Sequence, residues 1–266
     1  MDLGLDNKHV LITGGSKGIG LACARVFLEE GASVTLVSRD QAQLDSAKDG
    51  LSLEFANSQD RIKTIAADLK IASQAQAMVA AAQQVLGPID VLVNCAGAAK
   101  RTPPNELDPQ AWLDAIQAKY LTYIHAMDPV IKEMGDRGRG VIVNVVGMGG
   151  KVASPIHLPG GSANAALMLA SVGLANAYAD KGVRVNVVNP GLTLTDRLQE
   201  GLKAQAKMQQ IDVEQALAQA SSALPLGRIA DPTEIANAVV FLASSKASYI
   251  NGAVLSMDGG LVPMVV

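Results

Sequence analysis

The chain is expected to be an α/β protein: a single domain built on one doubly wound parallel sheet of about seven strands, with helices on both faces. Three observations carry that expectation. Short apolar runs alternate with longer stretches of helical spacing along the whole length. A glycine-rich turn, Thr13-Gly14-Gly15-Ser16-Lys17-Gly18-Ile19-Gly20, joins the first run to the first helical stretch. Hydrophobic residues fill 49% of the 266 positions but aromatics only 3%, so the core must be built from Ala, Val, Leu and Ile. Small aliphatic side chains suit close packing of helices on a sheet. No Pro/Gly/Ser linker and no internal repeat divides the chain, and its length fits one large domain better than two small ones.

In chain order, strands are expected near 8–13, 33–38, 61–66, 89–94, 140–146, 183–188 and 253–257, with helices near 18–30, 40–57, 72–86, 108–134, 160–181 and 231–244. Such alternation implies right-handed βαβ units and a sheet covered on both sides. Two stretches interrupt it. Ala98–Asp108 is a polar loop with Pro103-Pro104 leading to the helix that carries Trp112. Thr193–Leu224 is long, polar and rich in Gln and Ala, and follows a strand end at Asn189-Pro190-Gly191. Ligands of open α/β sheets bind beyond the carboxyl ends of the strands. The 193–224 insertion is therefore either a substrate lid or a solvated pair of surface helices.

The glycine turn is the first candidate site. It follows His9-Val10-Leu11-Ile12 and opens a segment with Leu21, Ala24, Arg25 and Leu28 at helical spacing. The first amides of a helix lack internal partners and carry the positive end of its dipole, so they attract phosphate. Each glycine removes a Cβ where the turn is tight or a pyrophosphate comes close.

Charge excludes other partners. The net charge is −3 with no long basic run, which speaks against nucleic acid and against an anionic membrane surface. No signal-like N-terminus and no run of 18 or so apolar residues is evident. Cys23 and Cys95 read as buried free thiols, consistent with a cytoplasmic setting. No His/Cys/Asp/Glu spacing argues for a metal.

Five ordered motifs resemble the short-chain dehydrogenase/reductase family, whose fold is of the Rossmann type, and the likeness covers nearly the whole chain. Thr13–Gly20 resembles its TGxxxGxG loop, and Asn94-Cys95-Ala96-Gly97 its NNAG turn. Asp68-Leu69 falls where the family places an Asp near the adenine. Gly182-Val183-Arg184-Val185-Asn186 with Asn189-Pro190-Gly191 is similar to its "GIRVN…PG" segment. Pro225 to Gly260 carries its C-terminal signature, in the manner of 3-oxoacyl-ACP reductases. The resemblance implies a dinucleotide held by Gly14, Ser16, Gly18, Ile19, Gly20, Asp68, Leu69, Asn94, Ala96, Gly97, Pro190, Gly191, Thr193 and Thr195. The second strand ends Val37-Ser38-Arg39 without the acid that bonds ribose hydroxyls in NAD sites; Asp40 is one place further on. Lys17, Ser38 and Arg39 form a candidate cradle for a 2′-phosphate, so NADP(H) is favoured over NAD(H).

The family's catalytic Asn–Ser–Tyr–Lys set has no counterpart at the matching positions. The serine position falls on Gly147 and the tyrosine position on Gly160, thirteen residues on. Asn164 takes the lysine position and Lys119, seven residues after Trp112, the asparagine position. Lys119 and Asn164 look like an exchange between neighbouring positions. His157, seven residues before Asn164, matches the longer tyrosine-to-lysine separation of enoyl reductases, and an imidazole suits proton transfer near neutral pH. A surface role for this loop histidine is the alternative. Ser162 is a weaker catalytic candidate or a helix cap. Tyr123 shares the face of Lys119 better than Tyr120 does, and packing is the default reading of both, as a structural role is for His9 and His125. Pro159-Gly160-Gly161-Ser162 is further expected to bare backbone amides that could bind an anion or oxyanion over the nicotinamide.

Three functions fit: an NADP(H)-dependent oxidoreductase, a silent nucleotide sensor or partner subunit, and a non-redox enzyme with a structural cofactor. The first transfers hydride to or from a carbonyl or activated alkene of a small-molecule substrate, using a rebuilt proton donor. Small residues on the 162–179 helix (Ala163, Ala166, Ala170, Gly173, Ala177), with the family resemblance, imply a homotetramer or homodimer.

Overall fold

The computed structural model describes residues 1–56, 58–97 and 99–264, leaving aside the side chains of residues 204, 205 and 208. Among them seven strands form one parallel sheet. They are β1 (His9–Thr13), β2 (Ser33–Ser38), β3 (Ile62–Ala66), β4 (Val91–Asn94), β5 (Gly140–Val145), β6 (Val183–Pro190) and β7 (Val254–Met257), in the order β3-β2-β1-β4-β5-β6-β7. Chain order reverses between β1 and β4, the switch point where such sheets open a crevice.

Alternation along each strand divides the core between two faces. Val10 and Ile12 pack on one side with α1 (Gly18–Glu29), α2 (Gln41–Glu54) and, after β6, the later helix α9 (Pro232–Ala243). Leu11 points the other way, into a cluster with α3 (Ala72–Leu86), α5 (Thr122–Asp136) and α6 (Leu158–Ala177). Three of the helices start where an aspartate satisfies a free amide. Asp40 accepts from the Gln43 amide at 3.2 Å, Asp108 from Ala111 at 2.7 Å, and Asp231 forms a capping box with Glu234.

Four expectations change in detail. The 40–57 helix stops at Glu54, and its last expected residue, Asn57, lies outside the described residues. The single helix near 108–134 is three pieces: α4 (Pro109–Ala115), a π-helical turn (Ile116–Leu121) and α5. Lys119 rides on that wide turn, a distortion that recurs at functional sites. The helix expected at 160–181 begins at Leu158 and ends at Ala177, because Pro155–His157 forms a 3-10 turn directly before it. The 193–224 insertion is a pair of helices, α7 (Asp196–Gln209) and α8 (Val213–Ser222), which share a small cluster of Leu202, Ala206 and Ala216.

The α6 region also qualifies the reading that no segment is apolar enough for a membrane. Pro155–Ala177 reaches that threshold with a mean hydropathy of 1.2. Its buried residues include Leu167 and Ala175, which pack into the sheet's second core cluster, so its apolarity has a partner inside the fold.

Candidate active site

A cleft of about 630 Å³ opens at the carboxyl ends of β1 to β4. Gly14, Ser16 and Lys17 line it from the glycine turn, Ser38 and Arg39 from beyond β2, Asp68 and Leu69 from beyond β3, and Ala96 and Gly97 from beyond β4. At two of its glycines the turn has no room for a side chain. A Cβ on Gly20 would lie 2.2 Å from the Gly14 carbonyl oxygen, and one on Gly14, where φ is +68°, 2.8 Å from the Ala96 amide nitrogen. These glycines bring the β1 and β4 turns together and present the start of α1 to the cleft. Asp40 caps α2 with its carboxylate, which occupies the acid nearest Arg39. The volume, the helix terminus and the two cations fit a dinucleotide with an extra phosphate.

Other expected contacts sit around this cleft rather than on its wall. Gly18 (φ +57°) and Thr195 face each other, since a Cβ on Gly18 would lie 3.4 Å from Thr195 Cγ2. Ile19 and Gly20 belong to α1, and Thr193 is buried in an isolated bridge to Ala230. Pro190 ends β6, and Gly191 follows it, where a Cβ would meet the Asp258 Cα at 3.1 Å. Asn94 is a brace. Its carboxamide accepts from Thr13 Oγ1 at 3.1 Å and donates to Asn144 Oδ1 at 2.9 Å, and Asn144 donates on to Ser171 Oγ at 2.8 Å. This fully paired buried chain ties β1, β4 and β5 to α6 beneath the site. An Asn inside the apolar run 141–146 was the sequence signal for it. Gln43, Lys70, Cys95, Thr122 and Arg197 also line the cleft and were not anticipated.

At the β5 end, glycines make room for two other side chains. A Cβ on Gly160 would lie 2.1 Å from His157 Cε1 and 2.6 Å from Nε2. The imidazole therefore occupies the space into which a residue-160 side chain would grow. A Cβ on Gly147 would lie 3.5 Å from Asn164 Nδ2, and one on Gly149 would face both side chains, at 3.1 Å from His157 Cδ2 and 3.6 Å from Asn164 Nδ2. His157 Nδ1 and Asn164 Oδ1 are buried without hydrogen-bond partners. Unpaired buried polar atoms cost free energy, and two together mark a place where a ligand or water completes the network. Removal from water, then the cations Arg101, Arg197 and Lys119, hold the imidazole below its ordinary range.

Lys119 does not reach out toward a ribose. It is buried, and its Nζ lies 2.9 Å from Tyr123 Oη and 3.4 Å from the Val145 carbonyl oxygen. Burial lowers its amine to about 7. Tyr123, on the shared helical face, thus bonds the lysine as well as packing. His9 and His125 are internal, bonded to Gly87, Thr35 and Leu69.

One expectation is corrected. Ser162 is exposed, and its Oγ donates back to the Leu158 carbonyl at 3.0 Å, so it neither enters the site nor caps the helix, which starts four residues earlier. Gly161 lies against the loop after β5. A Cβ there would strike the Gly149 carbonyl oxygen at 2.6 Å, so the glycine serves close packing of α6 on the loop after β5.

A family profile described as Enoyl-(Acyl carrier protein) reductase matches residues 14–262. The chain belongs to the short-chain dehydrogenase/reductase family. It is 32% identical over 259 residues to the 3alpha-hydroxysteroid dehydrogenase of Mediterraneibacter gnavus, covering 96% of this chain and 97% of that one. It is also 32% identical over 263 residues to the 3-oxoacyl-[acyl-carrier-protein] reductase FabG of Chlamydia muridarum, covering 97% and 98%. The L-sorbose reductase of Gluconobacter frateurii, solved with NADPH and L-sorbose, superposes with a TM-score of 0.92 at 30% identity over the whole of both chains. An NADPH-bound short chain oxidoreductase from Pseudomonas aeruginosa PAO1, described as containing an atypical catalytic center, superposes at 0.88 with 30% identity over 97% and 98%. This family member is a single-sheet oxidoreductase fold of seven parallel strands.

Proposed function

We propose that the chain is an NADP(H)-dependent oxidoreductase whose usual catalytic side chains at 147 and 160 are replaced by Asn164 and His157 acting from neighbouring positions. One observation carries the reading: the His157 ring fills the space of an absent side chain at 160 and the Asn164 carboxamide stands beside Gly147, each with a buried, unpaired polar atom. NADPH, when bound, supplies the hydride. Lys17 and Arg39 hold the 2′-phosphate and set the preference over NADH, which NADPH-bound relatives support in kind. Asn164 orients and polarises the substrate carbonyl, and His157 gives its proton to the oxygen as negative charge develops there. Lys119 is a positioning residue: held by Tyr123, it adds its charge, after burial and the two arginines, to what lowers the imidazole. Helices α7 and α8 serve as the substrate lid, and copies associate into a homotetramer or homodimer along α6, where Leu169 stands 76% exposed.

The test is a fluorescence titration of NADPH and NADH, followed by absorbance loss with ketones, quinones and enoyl thioesters. Tighter NADPH binding with turnover that collapses in His157→Ala is expected. NADPH binding with no turnover on any class would leave a silent nucleotide-binding protein.

A further inference from the structure

Four basic side chains from separate segments, Arg197, Arg101, Lys119 and His157 itself, converge at this site. Arg197, second residue of α7, lines the cleft and donates to the Ala99 carbonyl at 3.3 Å. The Thr102 amide donates to the Ile156 carbonyl at 3.0 Å, one residue before His157. Arg101 lies between these two anchors, so the loop carries it to the seam where α7 meets the His157 turn. Lys119 stands behind, on the π-helical turn. These groups act on one another: Arg101 and Arg197 both lower His157, and Arg101 lowers Arg197, in each case after burial.

No ion pair among the described residues involves any of the four. The acids of the same cleft stand at its other end, beyond β2 and β3. There Asp40 caps α2 and Asp68 lies 4.0 Å from Lys70. Asp196, beside Arg197 in sequence, lines a separate groove with Lys17 and Arg25. Like charges gathered without a counter-charge repel, and a cation in the first turn of a helix also opposes its dipole. An arrangement so unfavourable by itself is relieved by an anion from outside, for which a pair of guanidiniums is well shaped.

We infer that the substrate is an oxo acid whose carboxylate is taken by Arg101 and Arg197 while its carbonyl faces His157 and Asn164. This rests on the proposed reading of the site and names its substrate class. Binding and turnover are therefore read separately. The full-length protein saturated with NADPH is titrated with acetoacetate and 2-oxobutyrate, with their methyl esters, and with dihydroxyacetone phosphate, following cofactor fluorescence; absorbance loss reports turnover. The acids are expected to bind about tenfold tighter than their esters, roughly 1.4 kcal/mol. The preference should fall below about threefold in Arg101→Gln and in Arg197→Gln and survive in part in the lysine variants. It should fade as salt rises, and in Arg101→Gln the NADPH affinity and melting temperature should hold steady. Lys132→Gln, at an exposed pair with Asp128 on α5, should keep the full preference. Esters that bind as tightly as acids, or a preference that survives both glutamine variants, would overturn the inference. So would preferred binding of the phosphate, or a large loss of NADPH affinity in Arg197→Gln, which would give that arginine to the cofactor. Acid-selective binding without turnover would uphold the carboxylate site and remove the oxidoreductase reading.

Discussion

The two ends of the cleft are built on opposite principles. At the β1–β3 end the chain keeps its glycines and uses them to bring backbone close to backbone, as at Gly14 and Gly20. At the β5–α6 end the room beside Gly160 is taken by the His157 ring from one turn earlier, and Gly147 and Gly149 border the Asn164 carboxamide. The first is a scaffold in which the backbone does the binding. The second is a side-chain site in which position along the chain and position in space have come apart.

The comparison is broken most forcibly at the catalytic end. His157→Ala should lower turnover by about 10²–10⁴-fold while leaving NADPH affinity nearly unchanged, as measured by steady-state kinetics beside a fluorescence titration. Equal losses in both would make His157 a structural residue. At the cofactor end, Gly20→Ala places a Cβ 2.2 Å from the Gly14 carbonyl, so NADPH affinity should fall by more than about tenfold, with a lower melting temperature. Arg39→Glu should weaken NADPH by about tenfold or more and leave NADH almost untouched, measurable in parallel titrations.

Lys119, bonded to Tyr123 and the Val145 carbonyl at the β5 end, predicts a pH effect. Its folded value, about 7, lies below the 10.5 of a free lysine, so between those values the unfolded chain binds the extra proton and stability rises with pH. The burden of the buried charge is greatest below pH 7. Lys119→Met should therefore raise stability there by about 1–4 kcal/mol, and the gain should shrink toward pH 10.5 in denaturant unfolding. A gain independent of pH would show that the lysine is not titrating in this window. Ser162→Ala should change neither binding nor rate measurably, since its hydroxyl closes only on Leu158.

Much of this architecture was legible from residue order. The seven strands and most of their helices follow from apolar runs and spacing, because each strand needs two buried faces and shows them as Val- and Ile-rich stretches. The cradle at Gly14 was legible because a tight turn into a helix admits few residue types. The π-helical turn at Ile116–Leu121 was not, since a wide turn leaves the helical spacing intact on either side. Ser162 was misplaced because α6 starts four residues before it, which turns a cap into an interior position. His157 was named but left undecided: distance along the chain matched, yet only three dimensions show its ring in the space of residue 160. Arg197 and Arg101 escaped because each is an ordinary surface cation until the loop and α7 are brought together.

The pH dependence of carbonyl reduction, in the wild-type chain and in His157→Ala, tests the central claim most directly. The imidazole is held below its ordinary 6.5, so the reductive rate should climb as pH falls toward that shifted value and level off beneath it. The His157→Ala variant should be slow and flat across the same range. A variant that keeps the wild-type rate and the same pH profile would contradict the assignment of His157 as the proton donor.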